Sequence, residues 1–435
     1  MPVVEGAGGR GSTKASSPFR CGRARPLIPP FPPCPCDAID SGAPARDLPT
    51  MSDATPVRDA SPASGPSPFA DLAPAAASAE PARETPDADG ANREPAAVEP
   101  PRPIVAELYG TNSNPVPDGA RAEFVTTDDG VRLRAALFRA TRRPRRGTVL
   151  LLQGRNECIE KYFETARDLG AAGFTTVAFD WRGQGGSDRL LRDPQKGYVR
   201  SFRDYERDLL AIYEGLALPD ARAPFTIVGH SMGGLIAMLA APQLAGRVER
   251  IVALAPLVRL IGQPLGQRTL KWAMGLARLV GLGRLYAAGG PRTDEIPDFL
   301  TNVLTTDPVR HERNGEMFLA HPHLGIGGPT VRWVHEACRA MDRLGTDRAL
   351  RALRVPTLVI AAGDDGVVST LAQERVVRRM RCANMLTVDG ARHELLQERD
   401  RYRGQAIAAI VAFAATDDAR TAGSPVETTE PVTVA

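Results

Sequence analysis

Gly229-His230-Ser231-Met232-Gly233-Gly234 decides the reading of this chain. Phe225-Thr226-Ile227-Val228 precedes it, a β-branched apolar run that reads as a buried strand. Leu235-Ile236-Ala237-Met238-Leu239-Ala240-Ala241 follows and reads as a buried helix. A strand and a helix joined by Gly-x-Ser-x-Gly form a nucleophile elbow, a sharp turn that lifts Ser231 above the sheet in a strained conformation. Such a turn leaves no room for side chains two residues either side, where Gly229 and Gly233 stand. The helix N-terminus points free N–H groups at negative charge building beside Ser231. The competing reading is a glycine-rich turn with an incidental serine, and the rest of the chain weighs against it.

Outward from the elbow, strands and helices alternate. Ala122–Val125 and Val131–Leu137 flank Asp128-Asp129-Gly130, a hairpin signal. Gly147–Leu152 is a continuous apolar run suited to a central parallel strand, and Gln153-Gly154-Arg155-Asn156-Glu157 is the loop after it. Tyr162–Ala172 reads as a helix, Thr175–Phe179 as a strand and Phe202–Leu216 as an amphipathic helix. Arg250–Ala255 is a further strand. From Leu257 to about Met341 the alternation stops, and helical stretches broken by Gly and Pro take over. It resumes with strands at Thr357–Ala362 and Asn384–Val388 and a helix at Tyr402–Phe413. Repeated β–α units predict an α/β fold, a mostly parallel twisted sheet with helices on both faces. The segment 257–341 reads as a helical cap inserted over the strand C-termini.

Of the 38 prolines, 21 precede Ile104, so the 435 residues do not divide into several domains. Residues 1–103, rich in Pro, Ala, Ser and charge, read as a disordered tail, 104–415 as one large α/β unit, and 416–435 as a second disordered tail. Met51-Ser52-Asp53 reads as a start in its own right, which leaves open whether residues 1–50 belong to the native product. A net charge of +3 gives no reason to invoke nucleic acid. The six cysteines are scattered without zinc spacing or a disulfide framework, which points to a reducing, cytoplasmic setting. No stretch has the uninterrupted apolar length of a membrane span.

A serine hydroxyl needs a base, and the base an orienting acid. Among six histidines only His393 follows the last strand, in Asp389-Gly390-Ala391-Arg392-His393-Glu394-Leu395. The acid is expected after the penultimate strand, where Asp364 and Asp365 stand in Gly363-Asp364-Asp365-Gly366-Val367-Val368. The order Ser, Asp, His is that of α/β-hydrolases.

At these motifs the chain resembles the lysophospholipase and monoacylglycerol lipase group of α/β-hydrolases, with the serine aminopeptidase-type fold, from about Glu123 to Ala414. The group's Gly-His-Ser-Met-Gly-Gly elbow matches residue for residue. Its acid loop, Asp-x-x-Val, matches with Asp365 as the acid and Val368 closing the pattern, and its histidine loop matches at Ala391–Leu395. Thr306-Asp307-Pro308 and Gly327-Gly328-Pro329-Thr330 look like cap segments of bacterial members. Gln153 and Gln184 stand where the group usually has histidine, and glutamine can still hold both loops by hydrogen bonds. The resemblance implies Ser231 as nucleophile, His393 as base and Asp365 as orienting acid. It also implies an oxyanion hole from the backbone N–H groups of Arg155 and Met232, with no metal or organic cofactor.

The expected substrate is a single-chain lipid, a lysophospholipid first and a monoacylglycerol as the alternative, with a general carboxylesterase beside them. An aminopeptidase of the same fold would need acidic cap residues, and Asp294, Glu295, Asp298 and Glu316 are available. A catalytically silent binding protein is the reading from another class. The Arg155 side chain is a candidate for a lysophospholipid phosphate; otherwise it points to solvent or braces Glu157. Between Arg268 and Val280, Arg268, Lys271 and Arg278 share one arc, with Leu270, Trp272, Leu276, Leu279 and Val280 around the remainder. Such a helix either lies in a lipid headgroup layer, a peripheral membrane contact, or packs on the core with a solvated basic face.

Overall fold

The computed structural model describes residues 104–415 apart from 263–265 and 293–294; the expectations for the two tails and for Met51 lie outside the described residues. The strands are β1 (Ile104–Val105), β2 (Arg121–Thr126), β3 (Arg132–Phe138), β4 (Gly147–Leu152), β5 (Phe174–Phe179), β6 (Phe225–His230), β7 (Arg250–Leu254), β8 (Thr357–Ala362) and β9 (Ala383–Val388). They form one sheet in the order β1-β2-β3-β5-β4-β6-β7-β8-β9. β1, β2 and β3 pair antiparallel and β3 meets β5 antiparallel, while every pair from β5 through β9 is parallel. The expected turn at Asp128-Asp129-Gly130 closes the β2–β3 hairpin, where Gly130 donates to the Thr127 carbonyl.

The helices are α1 (Phe163–Ala171), α2 (Phe202–Ile212), the single turn α3 (Leu218–Asp220), α4 (Met232–Leu244), α5 (Gly266–Leu279), α6 (Pro308–Ala320), α7 (Val331–Leu344), α8 (Asp347–Ala352), α9 (Thr370–Val377) and α10 (Asp400–Ala414). Every residue of β4, β6 and β8 is buried, which requires cover on both faces and explains their unbroken apolar runs. α4 is apolar almost all round because it too is enclosed. α2 starts where Ser201 and Asp204 exchange a capping box. β1 and α9 escape the sequence reading: the first is two residues long, and the second is short and mostly polar.

Between β7 and β8 the chain runs through α5, α6, α7 and α8, and charged side chains tie this insertion to the rest. Arg310 and Arg313 of α6 donate to the Glu164 carboxylate of α1, Arg310 at 2.5 and 3.0 Å and Arg313 at 2.7 Å. Asp307 caps α6, and Pro308 occupies its first turn, where a missing N–H costs nothing. Trp333 of α7 donates its indole N–H to the Tyr205 hydroxyl of α2 at 3.2 Å. Cys158 and Cys338 are free and buried. Among the described residues no helix is long and apolar enough to cross a membrane.

Candidate active site

β6 delivers Ser231 to the C-terminal edge of the sheet, and α4 begins at the next residue. Ser231 adopts φ 51°, ψ −109°, a conformation that costs energy in any residue but glycine. It persists because Ser231 is fastened on both sides. Its N–H donates to the Leu254 carbonyl at 2.9 Å, and its carbonyl accepts from Leu235 and Leu257. A Cβ on Gly229 would lie 2.7 Å from the Gly233 carbonyl carbon, and one on Gly233 would lie 2.5 Å from the Leu152 carbonyl oxygen. Both glycines are therefore required by close backbone approach.

Loops after β8 and β9 bring the other two groups to the serine. His393 Nε2 lies 3.0 Å from Ser231 Oγ, and His393 Nδ1 lies 2.8 Å from Asp365 Oδ2. The other oxygen of Asp365 accepts the N–H groups of Val367 and Val368 at 2.8 and 2.9 Å. Burial pushes the Asp365 carboxyl up, but these donors and His393 outweigh it and leave the group below the usual carboxylate value. Asp364 is exposed, and its backbone N–H donates to Ala391. Of the two adjacent aspartates, Asp365 is the one in hydrogen-bond contact with the imidazole.

Met232 opens α4, so its N–H has no acceptor within the helix. Arg155 and Met232 both line the cavity beside Ser231. The Arg155 loop is held by Glu157, which the sequence reading considered only as a brace for the Arg155 side chain. Its buried carboxylate accepts from the Gly154 N–H, from the Tyr162 hydroxyl at 2.6 Å and from Lys161 Nζ at 3.0 Å, and it lies 3.2 Å from His230 Nδ1. Lys161 also donates to Glu394 at 2.6 Å. Burial would raise the Glu157 carboxyl, but Lys161 and His230 hold it well below its ordinary value; burial would lower His230, but Glu157 raises it. Only the Glu157–Lys161 spacing of four residues hinted at this cluster. The glutamines hold their loops as expected: Gln184 donates to the Gly154 carbonyl at 2.9 Å, and Gln153 donates to Asp180 at 3.0 Å.

A cavity of about 550 Å³ opens above Ser231. Leu257, Leu260, Leu270, Met274, Phe318 and Val334 give it an apolar lining, and Arg155, Asn156 and Arg292 add polar groups. The Arg155 guanidinium neither reaches solvent freely nor braces Glu157. It donates to the Gly327 carbonyl of the insertion and lies over the Trp333 ring at 5.5 Å. Leu270 and Met274 of α5 face the cavity, while Trp272, Leu276 and Leu279 stand 78%, 65% and 76% exposed. α5 thus packs against α7 on its inner side, as one of the two readings expected, and its outer side carries exposed apolar residues as well as basic ones. Glu295, Asp298 and Glu316 do not line the cavity, and Asp294 lies outside the described residues.

A family model described as serine aminopeptidase, S33, matches residues 143–400. The chain is 35% identical over 302 residues to lysophospholipase L2 of Escherichia coli K12, a match covering 67% of this chain and 86% of that protein. It is 26% identical over 237 residues to the monoglyceride lipase of Homo sapiens, covering 54% and 71%. Among solved structures, a highly thermostable carboxyl esterase from Bacillus coagulans in complex with glycerol aligns with a TM-score of 0.56. That alignment covers 68% of this chain and 97% of the esterase at 18% identity, a likeness of fold.

Proposed function

The chain belongs to the serine aminopeptidase S33 family of α/β-hydrolases, and from that membership we propose that it is a lysophospholipase, cleaving single-chain lipid esters through an acyl-enzyme on Ser231. One observation carries the reading: a serine–histidine–aspartate chain with 3.0 and 2.8 Å contacts lies at the floor of a mostly apolar cavity. Ser231 Oγ attacks the ester carbonyl while His393 Nε2 takes its proton. The tetrahedral oxyanion accepts from the Met232 and Arg155 N–H groups, and the N-terminus of α4 adds its positive end. Collapse expels the glycerol oxygen, which leaves with the proton from His393. Water then enters by the same proton route and releases the fatty acid. Asp365 holds Nδ1–H and so presents Nε2 as the acceptor.

Similarity to a monoglyceride lipase supports monoacylglycerol as the second substrate. Among the described residues an aminopeptidase role lacks its anchor, because the carboxylates that reach the cavity, Glu157 and Glu394, are already engaged by Lys161 and His230. The exposed apolar side of α5, next to the basic Arg268 and Arg278, is the membrane contact through which lipid enters. A hydrolysis panel of lysophosphatidylcholine, monoolein, a short p-nitrophenyl ester and a prolyl amide tests the reading. Preference for the two lipids is expected; preference for the prolyl amide would overturn it.

A further inference from the structure

Arg155 carries a charge that no carboxylate among the described residues neutralises. Among the described residues no carboxylate lies within 4.0 Å of its guanidinium, in contrast to Arg134, which has Glu160 and Asp180, and Arg182, which has Asp129 and Asp208. One N–H donates to the Gly327 carbonyl, and the buried Nε has no partner. Burial alone lowers its pKa to about 10, so the side chain stays cationic at neutral pH. An enclosed cation without a counter-ion is costly, and a site that keeps one has an anion to receive. Gly197 gives the guanidinium its place: a Cβ there would lie 2.8 Å from Arg155 Nη2. The Trp333 ring holds the guanidinium plane, which leaves its edge to hydrogen bonding.

The position of this cation relative to the chemistry names the anion. With its backbone N–H in the proposed oxyanion hole, the Arg155 side chain starts beside the scissile ester, and it lines the same cavity. We propose that the Arg155 side chain recognises the phosphodiester of a lysophospholipid whose acyl ester is at Ser231, and so selects phospholipid over neutral glyceride. The inference rests on the lysophospholipase reading. In a lysophospholipid the phosphate stands one glycerol backbone from the ester, within the span of an arginine side chain. Guanidinium and phosphate match as two parallel N–H···O contacts, a geometry a lysine cannot reproduce.

The test compares kcat/KM for 1-oleoyl lysophosphatidylcholine and 1-monooleoylglycerol, which share an acyl chain, in the wild type, Arg155→Met and Arg155→Lys. The expected result is a fall of about tenfold to a hundredfold in the lysophospholipid-to-glyceride ratio for Arg155→Met, and a smaller fall for Arg155→Lys. Equal losses on both lipids would show that the side chain only braces the loop against Gly327 and would overturn the proposal. An unchanged ratio would do the same. Binding of the non-hydrolysable ether analogues of both lipids to Ser231→Ala protein, with and without Arg155→Met, gives a readout independent of turnover. The affinity gap between the two analogues should close when Arg155 is removed; a gap that persists counts against the phosphate contact. A wild type that cleaves neither lipid sinks the lysophospholipase reading, while the ether pair still reports on the anion contact.

Discussion

Ser231, His393 and Asp365 come from three loops and meet within hydrogen-bond distance, and each is fixed by its own backbone. The elbow holds the serine, and two N–H groups hold the aspartate. Asp365→Asn keeps the shape but presents an amide to Nδ1 and favours the wrong imidazole tautomer. Turnover should fall by about four orders of magnitude. Asp364→Asn, at an exposed side chain, should change kcat by less than about twofold. The reverse pattern in steady-state kinetics would move the acid to Asp364. The three residues were legible in the sequence because each follows a strand whose apolar pattern is plain. The Glu157, Lys161, His230 and Glu394 cluster was not, because its members sit in loops whose meeting depends on the whole sheet.

At the scale of elements, the insertion is bound to α1 by one carboxylate. Burial would raise Glu164, but Arg310, Arg403 and Arg313 draw its pKa down to about 2. Its folded value lies below the unfolded value of about 4.3, so its contribution is fully present above the unfolded pKa and fades as pH falls toward 2. Glu164→Gln should lower Tm by a few degrees at pH 7, with the difference from wild type shrinking between about pH 4 and pH 2. A pH-independent difference would mean that the ion pairs do not hold the insertion. α5 makes the second prediction. Trp272→Ser with Leu276→Ser should weaken binding to phosphatidylglycerol-containing vesicles by about tenfold while a short p-nitrophenyl ester is cleaved as before. Unaltered vesicle binding, or a dimer dissociated by the same pair, would assign the face to something other than lipid. The periodicity of α5 was legible, but not which side faces the cavity, because that depends on how the insertion sits over Ser231.

For the molecule as a whole, the strand–helix alternation was enough to give the parallel sheet, since an enclosed strand has to be apolar on both faces. Every residue placed in the site lies between Gln153 and Glu394. A chain starting at Pro103 should therefore keep the specific activity and Tm of the full chain within experimental error, and a large loss in either would give residues 1–102 a part in the hydrolase. The central claim is that a single nucleophile, Ser231, performs the lipid hydrolysis. Fluorophosphonate labelling with peptide mapping, followed in parallel with lysophosphatidylcholine hydrolysis, tests it most directly. One adduct per chain on the peptide containing Ser231, accumulating in step with loss of hydrolysis, is the expected result. Complete labelling of Ser231 with lysophospholipid hydrolysis intact would contradict it.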